Sequence, residues 1–131
     1  MEKRIFTLAE ALCMLSQLEE HFEEIKKERA AIIKGREEIK KASSKAALGG
    51  GSTYGPRYIQ ALEQISQHID QIHECGVVVK DLESGLCDFP YMMNGRLVYL
   101  CWKLGEPDIM WWHETDAGFA GRQLLQDAID E

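Results

Sequence analysis

The chain has 131 residues, of which 45% are hydrophobic and 28% charged, with a formal net charge of −7. This composition is typical of one globular domain and excludes a disordered chain, and no apolar run approaches the ~20 residues of a membrane-spanning helix. The first residues lack the apolar stretch of a signal peptide, so we expect a cytoplasmic protein with reduced cysteines. The acidic excess lies entirely in residues 81–131, and this negative charge disfavours nucleic-acid binding because it repels phosphate groups.

The first predicted helix covers residues 7–46 and begins with a capping box. Thr7 is the expected N-cap and Glu10 its partner three residues later. The apolar residues that follow have the four–three spacing of a heptad stripe: Ala11, Leu15, Leu18, Phe22, Ile25, Ile32 and Ile39. Gly35 lies inside this segment, and the pattern leaves open whether it interrupts the helix.

A glycine-rich stretch at residues 47–55 predicts a flexible loop, and a second helix is predicted over residues 56–75. The apolar stripe of this helix is predicted to be Tyr58, Leu62, Ile65, Ile69 and Ile72. Two striped helices joined by a loop favour an antiparallel helical hairpin. Because the first helix is about twice as long as the second, we expect its far half to be covered in a homodimer or higher homo-oligomer through helix 1.

Residues 77–113 change to strand patterning and predict a four-stranded antiparallel β-meander. The Asn-Gly turn sets Asp88 opposite Cys101. A two-residue Gly-Glu turn sets Val98 opposite His113, which places His113 on the core face of the sheet. The predicted fold is a single α+β domain in which a long helical hairpin packs on the meander. Residues 114–131 are expected to form a loop and a possible short helix.

The stretch from 106 to 123 concentrates side chains that bind ligands. The candidate ligand-binding residues are Glu106, Trp112, His113, Asp116 and Arg122. For a divalent transition metal the candidate ligands are His113, Glu114 and Asp116, because imidazole and carboxylate groups suit such ions, and Arg122 suits an anion. Structural roles in hydrogen bonds, loop capping and ion pairs are the alternative for the same residues. No other cofactor is implied.

The remaining histidines and the strand cysteine have weaker signals. His68 and His73 are five residues apart on helix 2 and make a poor metal pair, while His21 is expected to face solvent. Cys101 is a poor candidate nucleophile, since the predicted register brings no histidine to its row. The sequence therefore identifies no catalytic residues.

Several segments together resemble an uncharacterised prokaryotic family, the domain of unknown function 2203. The resemblance begins at Phe6-Thr7-Leu8-Ala9-Glu10-Ala11, becomes specific from Gly76 to Pro90, and continues through Gly95–Pro107 and Trp112–Gln123. It covers nearly the whole chain outside the glycine loop and the last few residues. It implies no activity and no catalytic residues, and it directs attention to the β part and the tail.

Two functions compete on this evidence. The first is a non-catalytic, self-associating interaction or regulatory module, favoured by the heptad stripes and the unmatched helix. The alternative is a small-molecule or divalent-metal-binding protein, possibly an enzyme, with its site in residues 106–123.

Overall fold

The computed structural model describes residues 4–44 and 55–126 and shows an α+β protein. Two helices are followed by one antiparallel sheet with the strand order β1-β2-β3-β4-β5. The elements are α1 (Leu8–Ser44), α2 (Gly55–Glu74), β1 (Val78–Asp81), β2 (Leu86–Met93), β3 (Arg96–Lys103), β4 (Trp111–Glu114) and β5 (Gln123–Leu124). Neither helix, over its described residues, is long and apolar enough to cross a membrane.

The predicted α+β class is confirmed, but the predicted strand number was one too low. The tail returns after a short 3₁₀ turn and pairs with β4, so that Trp111 lies opposite Leu124. Leu124 is therefore a strand residue, but Leu125 and Gln126 after it are helical, in line with the short helix predicted in the tail, and residues 127–131 lie outside the described residues. The same holds for residues 45–46 of the first predicted helix and for 47–54 of the predicted loop.

The capping box at the start of α1 is confirmed. The Thr7 hydroxyl accepts a hydrogen bond from the Glu10 backbone N–H at 3.1 Å, and the Glu10 carboxylate accepts one from the Thr7 N–H at 2.8 Å. These bonds lower the pKa of Glu10. The helix then continues through Gly35, where a side-chain Cβ would lie 3.3 Å from the Tyr58 ring, so this glycine makes room for an aromatic residue of α2.

The chain divides into two compact units, and the second comprises residues 20–70. In this unit α1 and α2 contact each other in antiparallel order, with an ion pair of 2.8 Å between Glu28 and Arg57. The stripe predicted on α2 was partly wrong. Leu62 is 46% exposed, whereas Ala61 and Ile65 are buried.

The other unit comprises residues 1–19 and 71–131 and contains the sheet. Its N-terminal segment lies along β2, where the Phe6 N–H donates to the Pro90 carbonyl at 2.8 Å. The Phe6 ring meets that of Phe89 edge-on, with 5.3 Å between centroids. Both rings are buried and belong to the core, together with Val98 and Leu100 of β3.

Candidate metal site

The Asn-Gly hairpin gives β2 and β3 the predicted register, in which Asp88 lies opposite Cys101. Asn94 and Gly95 both have positive φ, at 52° and 78°, as a type I′ turn requires. Successive side chains of a strand point to opposite faces of the sheet. Asp88 and Cys101 therefore share one face, and the core residues Phe89 and Leu100 share the other.

The β3–β4 connection differs from the predicted two-residue turn. Glu106 closes a longer loop: its carbonyl accepts the Trp102 indole N–H at 2.8 Å, and its carboxylate accepts the Lys103 backbone N–H at 2.7 Å. The next strand begins at Trp111, and His113 lies opposite Tyr99 instead of Val98. The predicted register was thus wrong by one residue, which moves His113 from the core face to the face of Asp88.

This register brings together three metal-binding side chains from three neighbouring strands. Ligand atoms of Asp88, Cys101 and His113 all lie within 4.8 Å of one another. The residues are 1%, 0% and 2% exposed, respectively. Within residues 4–44 and 55–126 this is the one group of three or more histidine, cysteine and acidic residues that converges so closely.

Hydrogen bonds fix the imidazole of His113. Its Nδ1 lies 2.7 Å from the Glu114 carbonyl oxygen, which can only accept, so Nδ1 carries a proton and donates it. Its Nε2 lies 3.0 Å from the Asp88 Oδ2. One proton is therefore held between Nε2 and the carboxyl group, on one atom or the other.

The Asp88 carboxyl group is incompletely satisfied. Its Oδ1 is buried and has no hydrogen-bond partner among the described residues. Burial raises the pKa of Asp88, an effect that the hydrogen bond and charge of His113 partly oppose. A buried, unpaired carboxylate oxygen is costly and is a position where a cation would be stabilising.

Cys101 does not have the geometry of a catalytic nucleophile. Burial raises the pKa of its thiol to about 11, with a further contribution from the charge of Asp88. Both ring nitrogens of His113 already have other partners, at Asp88 and at the Glu114 carbonyl. Neither nitrogen of His113 is therefore left to take the thiol proton, and nucleophilic catalysis by a cysteine needs such a base. A metal ion, by contrast, displaces that proton directly.

Arg122 covers the cysteine from the tail. Its guanidinium group approaches the Cys101 sulfur at 3.9 Å and pairs with the Glu106 carboxylate at 3.4 Å. The group also stacks over the rings of Trp111 and Phe119, at 4.6 and 4.5 Å from their centroids. The hydrogen bond and positive charge of Arg122 favour the thiolate form of Cys101, and so they partly oppose the rise in its pKa that burial causes.

Three of the other predicted site residues are not brought to this cluster. Trp112 is buried opposite Leu100, on the core face. Glu114 alternates to the same side and pairs with Arg96 at 2.6 Å. Asp116 is exposed in the turn after β4. The predicted metal set of His113, Glu114 and Asp116 therefore does not converge, because adjacent strand residues point apart.

The chain matches a protein family over a region that includes Asp88, Cys101 and His113. The family model described as "Uncharacterized conserved protein (DUF2203)" matches residues 4–125. The chain belongs to the DUF2203 family. No curated protein and no solved structure matches the chain. The DUF2203 match thus confirms the resemblance found in the sequence and leaves the function to be argued from the geometry.

Proposed function

We propose that this protein binds a divalent transition metal ion, with zinc as the best match, through Asp88, Cys101 and His113. The observation that carries this proposal is the buried convergence of three different ligand groups, one of which has an oxygen without a hydrogen-bond partner in the described part of the chain. Zinc accepts thiolate sulfur, imidazole nitrogen and carboxylate oxygen, at about 2.3, 2.0 and 2.0–2.2 Å.

Charge balance supports a dication in this place. A thiolate, a carboxylate and a neutral imidazole carry two negative charges, which one divalent ion neutralises. The neighbouring Arg122–Glu106 pair is balanced by itself. The buried metal site would therefore carry no net charge, which limits the cost of removing its charges from water.

The hydrogen bond from Nδ1 supports the role of His113 as a ligand. Histidines that bind metals usually donate their other ring N–H to a carboxylate or a backbone carbonyl, which fixes the tautomer and the ring orientation. His113 donates in this way to the Glu114 carbonyl. Its Nε2 lone pair is thereby directed at the Asp88 carboxyl group, where the metal would replace the shared proton.

Three protein ligands leave a fourth position on a tetrahedral ion. Catalytic zinc sites have such an open position, whereas structural sites are usually closed by four protein ligands. Arg122 is a cationic group beside Cys101 and would suit a bound anion. The alternative function predicted from the sequence, a metal or small-molecule site in the tail region, is retained here with Asp88 and Cys101 as new ligands.

The test is a titration of metal-free protein with Co²⁺, a spectroscopic substitute for zinc, followed by absorption spectroscopy. We expect one equivalent to produce a thiolate-to-cobalt charge-transfer band that zinc then removes. Cys101→Ser should abolish the band. Cys87→Ser is the matched control, because Cys87 is equally buried but points to the core face. A band that survives in Cys101→Ser would refute the proposal.

Self-association is a second candidate function, supported by exposed apolar residues in the unit of residues 20–70. Ile33 of α1 is 55% exposed, and Ile59 of α2 is 57% exposed. The homo-oligomer predicted through helix 1 was based on the stripe that includes Ile32, and we propose that it also covers the exposed neighbour Ile33. Sedimentation equilibrium should show an oligomer that Ile33→Glu weakens. Met92→Glu, at an apolar position of β2 that is 45% exposed, should leave it intact. A monomer at all concentrations would contradict this candidate. The cytoplasmic location stays a prediction.

A further inference from the structure

The α2 helix has a histidine on its buried stripe. The buried positions are Ala61, Ile65 and Ile72, and the half-buried Tyr58 precedes them. Their spacing follows the three–four repeat of a heptad, and His68 falls on the position between Ile65 and Ile72. An imidazole at such a position needs a polar partner, because an unpaired buried ring nitrogen is costly.

The partner is the histidine that was expected to face solvent. His21 of α1 is half-buried, and its Nδ1 lies 2.9 Å from the Nδ1 of His68. The two ring planes are inclined by 69°, with 5.2 Å between centroids. The expectation for His21 was therefore wrong, because the α2 stripe is rotated toward His68 relative to the predicted one. Two nitrogen atoms that are 47 residues apart in the chain face each other across α1 and α2.

Two facing imidazole nitrogens form the start of a coordination sphere. With metal–nitrogen bonds of about 2.0–2.1 Å, two ligands at a right angle are separated by about 2.9 Å, and two at a tetrahedral angle by about 3.3 Å. The observed separation therefore matches neighbouring ligands in a tetragonal or octahedral ion. Cu²⁺ and Ni²⁺ prefer such geometries and bind imidazole well.

Electrostatics keep His21 available to a metal. Burial lowers the pKa of His21, and the neighbouring His68 lowers it further, against an opposing effect of Glu20. A neutral imidazole has the free lone pair that coordination requires. No third histidine, cysteine or acidic ligand atom within the described residues lies close enough to complete a cluster, so water would fill the remaining positions.

We propose that His21 and His68 form a second metal site, a bis-imidazole clamp for Cu²⁺ or Ni²⁺ that links α1 to α2. This site is independent of Asp88, Cys101 and His113 in its residues and in its preferred ion. A bound metal would hold together two segments that are distant in the chain and would stabilise the paired helices by binding only the folded form.

Calorimetric titration of the protein with Ni²⁺ tests the clamp. His21→Gln and His68→Gln should each weaken the binding at least roughly tenfold, because loss of even a group that only supports a metal ligand typically costs about 10–100-fold in affinity. His73→Gln is the control on the same helix, because His73 bonds to the Val79 backbone and takes no part in the pair. Equal Ni²⁺ binding by His68→Gln and by the unaltered protein would overturn the proposal.

Electron paramagnetic resonance of Cu²⁺ on the protein keeps the test valid if a substitution disturbs folding. The clamp predicts hyperfine coupling to two imidazole nitrogens, unchanged in Cys101→Ser. Coupling to a single nitrogen would overturn the clamp. A signal that Cys101→Ser removes would overturn it as well and would assign the copper to the site of Asp88, Cys101 and His113. Absence of the thiolate–cobalt band from the unaltered protein, together with the two-nitrogen copper signal, would refute only the zinc site.

Discussion

Replacement of Asp88 by asparagine separates metal binding from structural support. An Asn side chain can donate its amide N–H to the Nε2 of His113, as a protonated aspartic acid does, but a neutral amide lacks the charge that a zinc ligand supplies. We expect the free energy of unfolding of metal-free Asp88→Asn to lie within about 1 kcal/mol of that of the unaltered protein. Asp88→Ala leaves the His113 nitrogen buried without a partner and should cost about 1–3 kcal/mol.

Zinc should produce a much larger difference in stability between the unaltered protein and Asp88→Asn. A ligand at 100 times its dissociation constant stabilises the folded state by roughly 2.7 kcal/mol. The entropy of unfolding is about 2.1 cal/mol/K per residue, so for 131 residues this gain raises the melting temperature by roughly 10 °C if the chain unfolds in one transition. The unaltered protein should show this shift, and Asp88→Asn should lose most of it.

Differential scanning calorimetry with zinc and with a chelator measures both effects. A zinc-dependent shift in Asp88→Asn equal to that of the unaltered protein would refute coordination by Asp88. Metal-free Asp88→Asn that is as unstable as Asp88→Ala would show that the amide does not replace the hydrogen bond to His113, and would refute the separation of the two roles.

Three further predictions follow from the same geometry. Burial raises the pKa of Asp88, so its contribution to the stability of the metal-free protein is complete below the pKa of the unfolded chain, about 3.9, and is lost as pH rises through the pKa in the folded protein. The free energy of unfolding of Asp88→Asn, measured across this pH range, should therefore rise relative to that of the unaltered protein as pH increases. An aromatic disulfide reagent at neutral pH should modify the exposed Cys13 in the folded, metal-free protein but not Cys101, whose buried thiol has its pKa raised to about 11, and rapid modification of Cys101 would contradict this. Gly85→Ala should destabilise the protein by about 1–3 kcal/mol in chemical denaturation, since φ at Gly85 is +70° and the added Cβ would lie 2.5 Å from that of Leu104, and an unchanged midpoint would show that the turn can adjust.

The sequence predicts those parts of the fold that depend on local signals. The capping box at Thr7 and the Asn-Gly turn at residues 94–95 each specify their geometry within four residues, and both are confirmed. The register of β2 and β3 follows from that turn alone. Gly35 could not be judged in this way, because its environment is the Tyr58 ring of the other helix.

The site was missed because of one connection. The loop before β4 depends on hydrogen bonds from Trp102 and Lys103 to Glu106, which no local turn rule predicts. A shift of one residue reverses every side chain of a strand, so it placed His113 among the core residues and left Cys101 without a histidine. The sequence did identify His113 as a candidate metal ligand. It assigned Glu114 and Asp116 as the other ligands, whereas the structure places His113 beside Asp88 and Cys101.

The X-ray absorption spectrum of zinc-loaded protein tests the central claim most directly. His68→Gln protein with one equivalent of zinc removes any contribution from the paired histidines of α1 and α2. We predict a first shell with one sulfur at about 2.3 Å and the remaining nitrogen and oxygen ligands at about 2.0–2.2 Å. A first shell of nitrogen and oxygen alone would contradict coordination by Cys101.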